Sequence, residues 1–213
     1  MARFGTLTMF VGPMYAGKTE SLLKEVARRD HIAGDTRRNI VLKPRYDDRY
    51  SESQIVSHDG TAVEARNVGE WPEDVYDSAD AIFIDEIQFF MEPHFSGNIV
   101  DGVRLARLRG IDIYCSGLDM DYRGHAFEIT ALLMAESSQI MRLTASCEIC
   151  RAPATMTARV TSGTDRLLLG TKDAYKPLCA DHWAETVARD GVSQDDEQGY
   201  NSRDIGLVTN PAA

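Results

Sequence analysis

A glycine-rich segment near the beginning of the chain constrains the fold more than any other feature of the sequence. Residues 12–19 fit the pattern G-x-x-x-x-G-K-[ST], in which the glycines let backbone N–H groups point at a phosphate. An apolar run from Leu7 to Val11 precedes this segment, and helix-forming residues from Lys18 to about Arg29 follow it. Strand, loop and helix in this order are typical of the first unit of an α/β fold. We therefore predict a phosphate-binding loop made of Gly12, Pro13, Met14, Tyr15, Ala16, Gly17, Lys18 and Thr19.

A second segment supplies acids for the same site. Residues 81–86, Ala-Ile-Phe-Ile-Asp-Glu, have the form of a buried parallel strand that ends in two carboxylates. We expect Asp85 to face the loop and to bind Mg²⁺ together with the Thr19 hydroxyl, while Lys18 reaches the β- and γ-phosphates. Glu86 is then the candidate general base. Because neighbouring strand residues point to opposite faces, both acids can serve one site only if the backbone turns between them.

Further apolar runs complete the predicted fold. Residues 40–42 and 111–115 read as short strands, and residues 100–109 read as a helix that Gly110 ends. Alternation of strands and helices predicts an α/β fold with a mostly parallel sheet, similar to that of P-loop NTPases, with the phosphates at the carboxyl edge of the sheet.

The cysteines predict a metal site. Cys147 and Cys150 form one pair with two residues between them, and Cys179 and His182 form another. This spacing lets all four side chains reach one tetrahedral ion, so we predict a closed, structural Zn²⁺ site. Cys115 lies in an apolar strand and is expected to be a core residue.

The composition changes after about Ser146, which suggests a second, smaller domain. We predict a nucleotide-binding α/β domain over residues 1–146, a zinc-binding β domain over 147–189 and a mobile tail over 190–213. Within residues 147–182 we expect short strands at 156–160 and 167–169 and no helix.

Charge and hydropathy exclude several classes of protein. The chain of 213 residues has 23 Lys plus Arg against 33 Asp plus Glu, a net charge of −10, which argues against a protein that covers a nucleic-acid backbone. No apolar run approaches the length of a membrane span, and the first residues lack the features of a signal peptide. With its sparse cysteines, the chain is expected to be cytoplasmic, with no membrane or nucleic-acid partner.

Taken together, the motifs resemble those of the type II thymidine kinases from about Leu7 to His182. The specific segments are residues 12–19, residues 85–90 (Asp-Glu-Ile-Gln-Phe-Phe) and residues 117–124 (Gly-Leu-Asp-Met-Asp-Tyr-Arg-Gly), followed by the two metal-binding pairs. The resemblance implies transfer of the γ-phosphate of ATP to the 5′-hydroxyl of thymidine or deoxyuridine, with Glu86 as the catalytic base. From thymidine this reaction gives dTMP, in pyrimidine deoxynucleotide salvage for DNA synthesis.

The resemblance also implies further site residues. Nucleotide contacts are expected from Asp47, Arg49 and Gln88. The region between the metal-binding pairs matches the lasso loop of the family, which closes over the thymine mainly through main-chain hydrogen bonds. Expected substrate contacts are Met14, Phe89, Leu118, Tyr122, Arg166, Leu167, Leu168, Leu169, Gly170 and Tyr175.

A homotetramer and feedback inhibition by dTTP are likewise implied by the resemblance alone. Two positions depart from the pattern of the family: Ile87 is bulkier than the small residue expected there, and Thr171 stands where a glycine is frequent.

Three alternatives remain open from the sequence. Residues 85–88 also resemble the acidic box of a nucleic-acid-dependent ATPase, although the net charge of −10 and a length of 213 residues, too short for two motor domains, argue against that class. An inactive nucleotide-binding relative is the second alternative, and a kinase of the same fold that acts on another nucleoside is the third.

Overall fold

The computed structural model describes residues 3–33, 38–45, 54–56, 62–160 and 174–189. A six-stranded parallel sheet forms its centre, in the order β5-β2-β6-β7-β1-β8. The strands are β1 (Leu7–Val11), β2 (Asn39–Pro44), β5 (Arg66–Val68), β6 (Ala81–Ile84), β7 (Asp112–Gly117) and β8 (Gln139–Arg142). The predicted α/β class with a parallel sheet is thereby confirmed.

Helices cover both faces of this sheet. They are α1 (Lys18–Ala33), α2 (Val75–Ser78), α3 (Ile99–Leu108) and α4 (Glu128–Glu136). Alternate residues of β1 belong to opposite layers of the core, as the pleat of a strand requires. Leu7, Met9 and Val11 pack in the layer that includes α3 and α4, whereas Phe10 packs with residues of α1.

Smaller antiparallel pairs lie outside the central sheet. The strands β3 (Gln54–Val56) and β4 (Ala62–Glu64) pair with each other, and Ile55 of this pair is buried with α1. After β8, the pairs are β9 (Ala145–Ser146) with β10 (Pro153–Ala154) and β11 (Met156–Arg159) with β12 (Tyr175–Leu178), followed by helix α5 (Ala180–Arg189).

Several elements depart from the sequence-based predictions. The expectation of no helix within residues 147–182 is wrong at its end, because α5 begins at Ala180. The sequence pattern predicts no element at α4 or β8. In α4 the apolar residues do not follow one stripe, and all four residues of β8 are exposed, so neither carries a clear periodic signal.

Within the ranges described, no helix combines the length and apolar character needed to cross a membrane. The predicted strand at 167–169 and the predicted tail at 190–213 lie outside the described residues. The division of the chain into domains stays a prediction.

Candidate functional site

The phosphate loop begins where β1 ends, and its backbone requires glycine there. Gly12 has φ of 149°, and a Cβ atom at this position would lie 2.3 Å from the carbonyl oxygen of Leu143. Only a residue without a Cβ therefore fits between β1 and the segment that follows β8. At the other end of the loop, Lys18 starts α1, and its Nζ donates a hydrogen bond of 2.7 Å to the carbonyl of Pro13.

The charge of Lys18 is set by opposing effects. Burial lowers the pKa of this ammonium below its usual value, whereas the charges of Glu86, Asp85 and Asp119 act in the opposite direction. Lys18 thus lies in a pocket whose surrounding charges are acidic, and a phosphate entering the loop would meet a cation that already has carboxylates close by.

Asp85 lies directly opposite Thr19. The Thr19 hydroxyl is 3.2 Å from Oδ1 and 3.1 Å from Oδ2 of Asp85, so the end of β6 is in contact with the first turn of α1, although β7 lies between β6 and β1 in the sheet. Ser116 of β7, which is buried, also donates a hydrogen bond to Oδ1. Burial and the neighbouring charge of Glu86 raise the pKa of Asp85 to about 7. A hydroxyl beside a carboxylate is the set of oxygen donors that suits Mg²⁺, so these residues fit that ion.

The backbone turns between the two acids. Glu86 has φ of 54° and ψ of 46°, a left-handed conformation that is uncommon for a residue with a side chain. The chain then enters a short 3-10 turn, Ile87–Phe89. This turn gives the reversal that the sequence analysis required, and it keeps Asp85 and Glu86 at the same end of β6.

An aromatic cluster lies beside the phosphate loop. Tyr122, Ala174 and Tyr175 are buried together, and Met14 of the loop packs against them. The backbone N–H of Met14 donates a hydrogen bond of 3.1 Å to the Thr157 hydroxyl, which connects the loop to β11. The cluster therefore brings together three residues that the resemblance assigned to the nucleoside pocket, Met14, Tyr122 and Tyr175.

Other contacts hold Tyr122 of this aromatic cluster in place. Nε1 of Trp183 in α5 donates a 3.0 Å hydrogen bond to the carbonyl of Tyr122. The guanidinium carbons of Arg123 and Arg159 lie 5.4 and 5.5 Å from the centre of the Tyr122 ring. Cation–π contacts at these distances favour a fixed ring orientation.

A cleft of about 680 Å³ borders the phosphate loop. Its lining includes Tyr15 of the phosphate loop and Tyr175 and Lys176 of β12. Leu118 is half-buried after β7, and Phe89 is buried in the 3-10 turn. The remaining predicted contacts, at Asp47, Arg49, Arg166, Leu167, Leu168, Leu169 and Gly170, lie outside the described residues, as does Thr171.

The four predicted zinc ligands form one cluster. The ligand atoms of Cys147, Cys150, Cys179 and His182 lie within 4.8 Å of one another. The Sγ atoms of Cys150 and Cys179 are 3.8 Å apart, close to the separation of about 3.8 Å that tetrahedral zinc with sulfur at about 2.3 Å requires. Nδ1 of His182 lies 3.1 Å from Sγ of Cys179 and 3.7 Å from that of Cys147. The residues therefore fit Zn²⁺.

The electrostatics of Cys147 suit metal binding. Burial alone would raise the pKa of its thiol, but backbone N–H groups of Cys150, Cys179 and Ile149 point at the sulfur and lower the pKa to about 6. Cys115 differs: it is buried in β7, and burial raises the pKa of its thiol. Its place in the core is as predicted.

Four residues near the site were missed by the sequence analysis. Ser116 and Thr157 contact predicted site residues, but a single hydroxyl in a strand carries no signal of its own. Asp119 is buried, and Arg142 at the end of β8 forms an ion pair with it. Asp119 belongs to residues 117–124. This segment was predicted to be a family motif, but no role was assigned to the Asp119 carboxylate.

The parallel sheet, the glycine loop at the end of β1 and the acids at the end of β6 are consistent with a P-loop-like fold of the α/β class, with a Cys₃His cluster that could bind zinc. The family model described as thymidine kinase matches residues 5–183. The chain therefore belongs to the thymidine kinase family, and the resemblance to the type II enzymes is confirmed. Membership makes it a kinase, and phosphorylation of thymidine is the general activity of that family.

Proposed function

We propose that the protein transfers the γ-phosphate of ATP to the 5′-hydroxyl of thymidine or deoxyuridine. The observation that carries this proposal is the contact of the Thr19 hydroxyl with Asp85, at 3.1 and 3.2 Å, with Glu86 turned back beside it. The phosphate loop and the candidate base, Glu86, thus lie at the same end of the sheet, beside the aromatic cluster around Tyr122.

In the proposed reaction, Glu86 accepts the proton of the 5′-hydroxyl. The oxygen bonds to the γ-phosphorus as the bond from that phosphorus to the β,γ-bridging oxygen breaks, so that the nucleoside monophosphate and ADP are the products. Lys18 and the N–H groups of the loop stabilise the charge on the phosphates. Thr19 and Asp85 would hold Mg²⁺, which supplies further positive charge when bound. Nothing else is required of the protein beyond orientation and exclusion of water.

The aromatic cluster suits a nucleoside. Tyr122 and Tyr175 give an apolar surface, and Met14 joins that surface to the phosphate loop. A base held there would lie close to the loop that holds the phosphates. We further propose that the Cys₃His cluster binds structural Zn²⁺ and anchors both ends of the lasso, because its two halves flank β11 and β12.

Assembly and regulation are also proposals. We infer a homotetramer and inhibition by dTTP from family membership, and a cytoplasmic location in nucleotide salvage. Exposed apolar side chains support self-association: Ile140 and Met141 are 45% and 40% exposed on β8, an edge strand, and Leu132 of α4 is 46% exposed. Light scattering of the purified protein tests the assembly.

The Glu86→Gln variant tests the proposed mechanism. The substitution removes the base and keeps the shape of the side chain, so kcat should fall by about 10²–10⁴-fold. Glu73→Gln, at an exposed position ahead of α2, is the matched control and should retain full activity. Phosphate transfer from ATP to thymidine is measured for both variants. Transfer by Glu86→Gln at the rate of the parent protein would exclude Glu86 as the base.

A further inference from the structure

Gln88 is a buried amide whose two ends are both engaged. Its side chain is 1% exposed and lies in the 3-10 turn directly after Glu86. Nε2 donates a hydrogen bond of 2.5 Å to Oε2 of Glu86, and Oε1 accepts one of 3.0 Å from the backbone N–H of Leu118. The amide thus connects the candidate base to the segment that follows β7.

The chemistry of the two partners fixes the orientation of this amide. A carboxylate accepts hydrogen bonds, and a backbone N–H donates one, so only one assignment of the amide oxygen and nitrogen satisfies both. With Nε2 facing Glu86 and Oε1 facing Leu118, both hydrogen bonds form. Reversing the amide would break both hydrogen bonds and leave buried polar groups without partners, which would destabilise the fold.

The neighbouring strand leaves room for this arrangement. A Cβ atom on Gly117 would lie 2.5 Å from Oε1 of Gln88 and 2.6 Å from Cγ2 of Ile87. The last residue of β7 must therefore be glycine for the Gln88 amide to reach Leu118. The bulk of Ile87, a departure from the family pattern, is accommodated by the same glycine.

We propose that Gln88 is a positioning residue that fixes the carboxylate of Glu86 and couples it to the Leu118 segment, rather than a contact to the nucleotide. The segment runs on to Tyr122 in the aromatic cluster. A movement of the segment from Leu118 to Tyr122 would therefore reach Glu86 through the Gln88 amide. This inference rests on the proposed function, because it assigns Gln88 a role through Glu86.

The test is a double-mutant cycle on the full-length protein. Gln88→Met keeps the length of the side chain and removes both hydrogen bonds, and Gln88→Glu keeps the acceptor for Leu118 but removes the donor to Glu86. Each is made in the parent protein and in Glu86→Gln, and kcat and KM for ATP and thymidine are measured. Gln139→Met, at an exposed position at the start of β8, is the control for the chemical change.

We expect each Gln88 variant to lower kcat by about 10- to 100-fold, since a small misplacement of a catalytic group has an effect of that size. KM for ATP should change by less than about threefold, and neither variant should lower kcat further in the Glu86→Gln protein. Gln139→Met should leave all constants unchanged.

Two results would overturn the inference while leaving the proposed function intact. One is a rise in KM for ATP as the main effect, which means direct contact with the nucleotide. The other is a full, additive loss of kcat in the Glu86→Gln protein. If Glu86→Gln alone leaves kcat unchanged, Glu86 is not the base and the inference about Gln88 fails with it. The proposed function itself fails only if the parent protein transfers no phosphate to thymidine or deoxyuridine, so the two failures are distinguishable. Thermal unfolding of each variant identifies a loss of kcat that comes from misfolding. If Gln88→Met misfolds, the cycle made with Gln88→Glu tests the inference.

Discussion

Asp119 and Arg142 form an ion pair across the end of β1, with Nη2 of Arg142 2.9 Å from Oδ2 of Asp119. Asp119 follows β7, Arg142 ends β8, and β1 lies between these two strands and continues into the phosphate loop. The Asp119 side chain is 6% exposed and that of Arg142 is 55% exposed. A surface cation therefore holds the segment that leads to Tyr122 over the beginning of the phosphate loop.

Breaking this pair is expected to weaken nucleoside binding. Arg142→Gln should raise KM for thymidine by about 3- to 10-fold, because a partly exposed ion pair contributes about 1 kcal/mol and its loss lets the Tyr122 wall move. Arg142→Lys keeps the positive charge and should raise KM for thymidine less than Arg142→Gln does. Arg104→Gln, which breaks exposed ion pairs with Asp101 and Glu136, is the control. An unchanged KM for thymidine in Arg142→Gln would show that the pair has no part in the pocket.

Ser116 is expected to tune the metal site through Asp85. Ser116→Ala removes a hydrogen bond that orients the carboxylate, so the Mg²⁺ concentration for half-maximal activity should rise by about 10- to 100-fold. Ser78→Ala, an ordinary hydroxyl at the end of α2, should not change it. Activity titrated with Mg²⁺ measures the effect. The same half-saturation in both variants would mean that the Ser116 hydrogen bond does not affect how Asp85 holds the ion.

Zinc should depend on the Cys₃His cluster and not on the fourth cysteine. Cys150→Ser is expected to lose bound zinc, as measured by elemental analysis, and to raise KM for thymidine because the strands at the base of the lasso lose their anchor. Cys115→Ala should retain about one zinc per chain. Zinc bound in equal amount by Cys150→Ser and the parent protein would refute the site.

Acid should destabilise the fold partly through Asp112. Burial opposes ionisation of this carboxyl, but hydrogen bonds from Thr6 and the ion pair with Arg3 hold its pKa below the ordinary value of 3.8. Arg29, which is also buried, donates to the same carboxylate at 3.2 Å. A folded pKa below the unfolded one stabilises the fold above pH of about 4, and this stabilisation is lost as the pH falls through the folded value.

Asp112→Asn should therefore lower the free energy of unfolding by about 2 kcal/mol at pH 7, the size of hydrogen bonds to a charged group. Its unfolding free energy should fall less steeply than that of the parent protein below pH of about 4. Urea unfolding at several pH values measures both. Parallel pH profiles for the two proteins would contradict this role.

The sequence predicted those elements in which local pattern and fold agree. The strand Leu7–Val11 and the strand Ala81–Ile84 are buried on both faces and read as continuous apolar runs, and both are found. The parallel sheet followed from the order of strands and helices. The exposed edge strand β8 could not be predicted in this way, because exposure on both faces removes the alternation that identifies a strand.

The site was partly predictable for a different reason. Spacing in the sequence pointed to residues 12–19 and to the four predicted zinc ligands, whose chemistry requires fixed intervals. The contacts of Ser116, Thr157 and Arg142 arise from packing between segments far apart in the chain, and no local sequence pattern predicts such contacts. The turn at Glu86 was required by the two adjacent acids, but its left-handed conformation is set by the structure around it.

One assay tests the central claim most directly. The purified protein is incubated with ATP and Mg²⁺ and, in separate reactions, with each of the four deoxynucleosides and with deoxyuridine, and the products are separated. We predict a monophosphate from thymidine and from deoxyuridine only, and its loss in Glu86→Gln. Hydrolysis of ATP in the absence of any nucleoside, especially if DNA stimulates it, without formation of a nucleoside monophosphate would contradict the account.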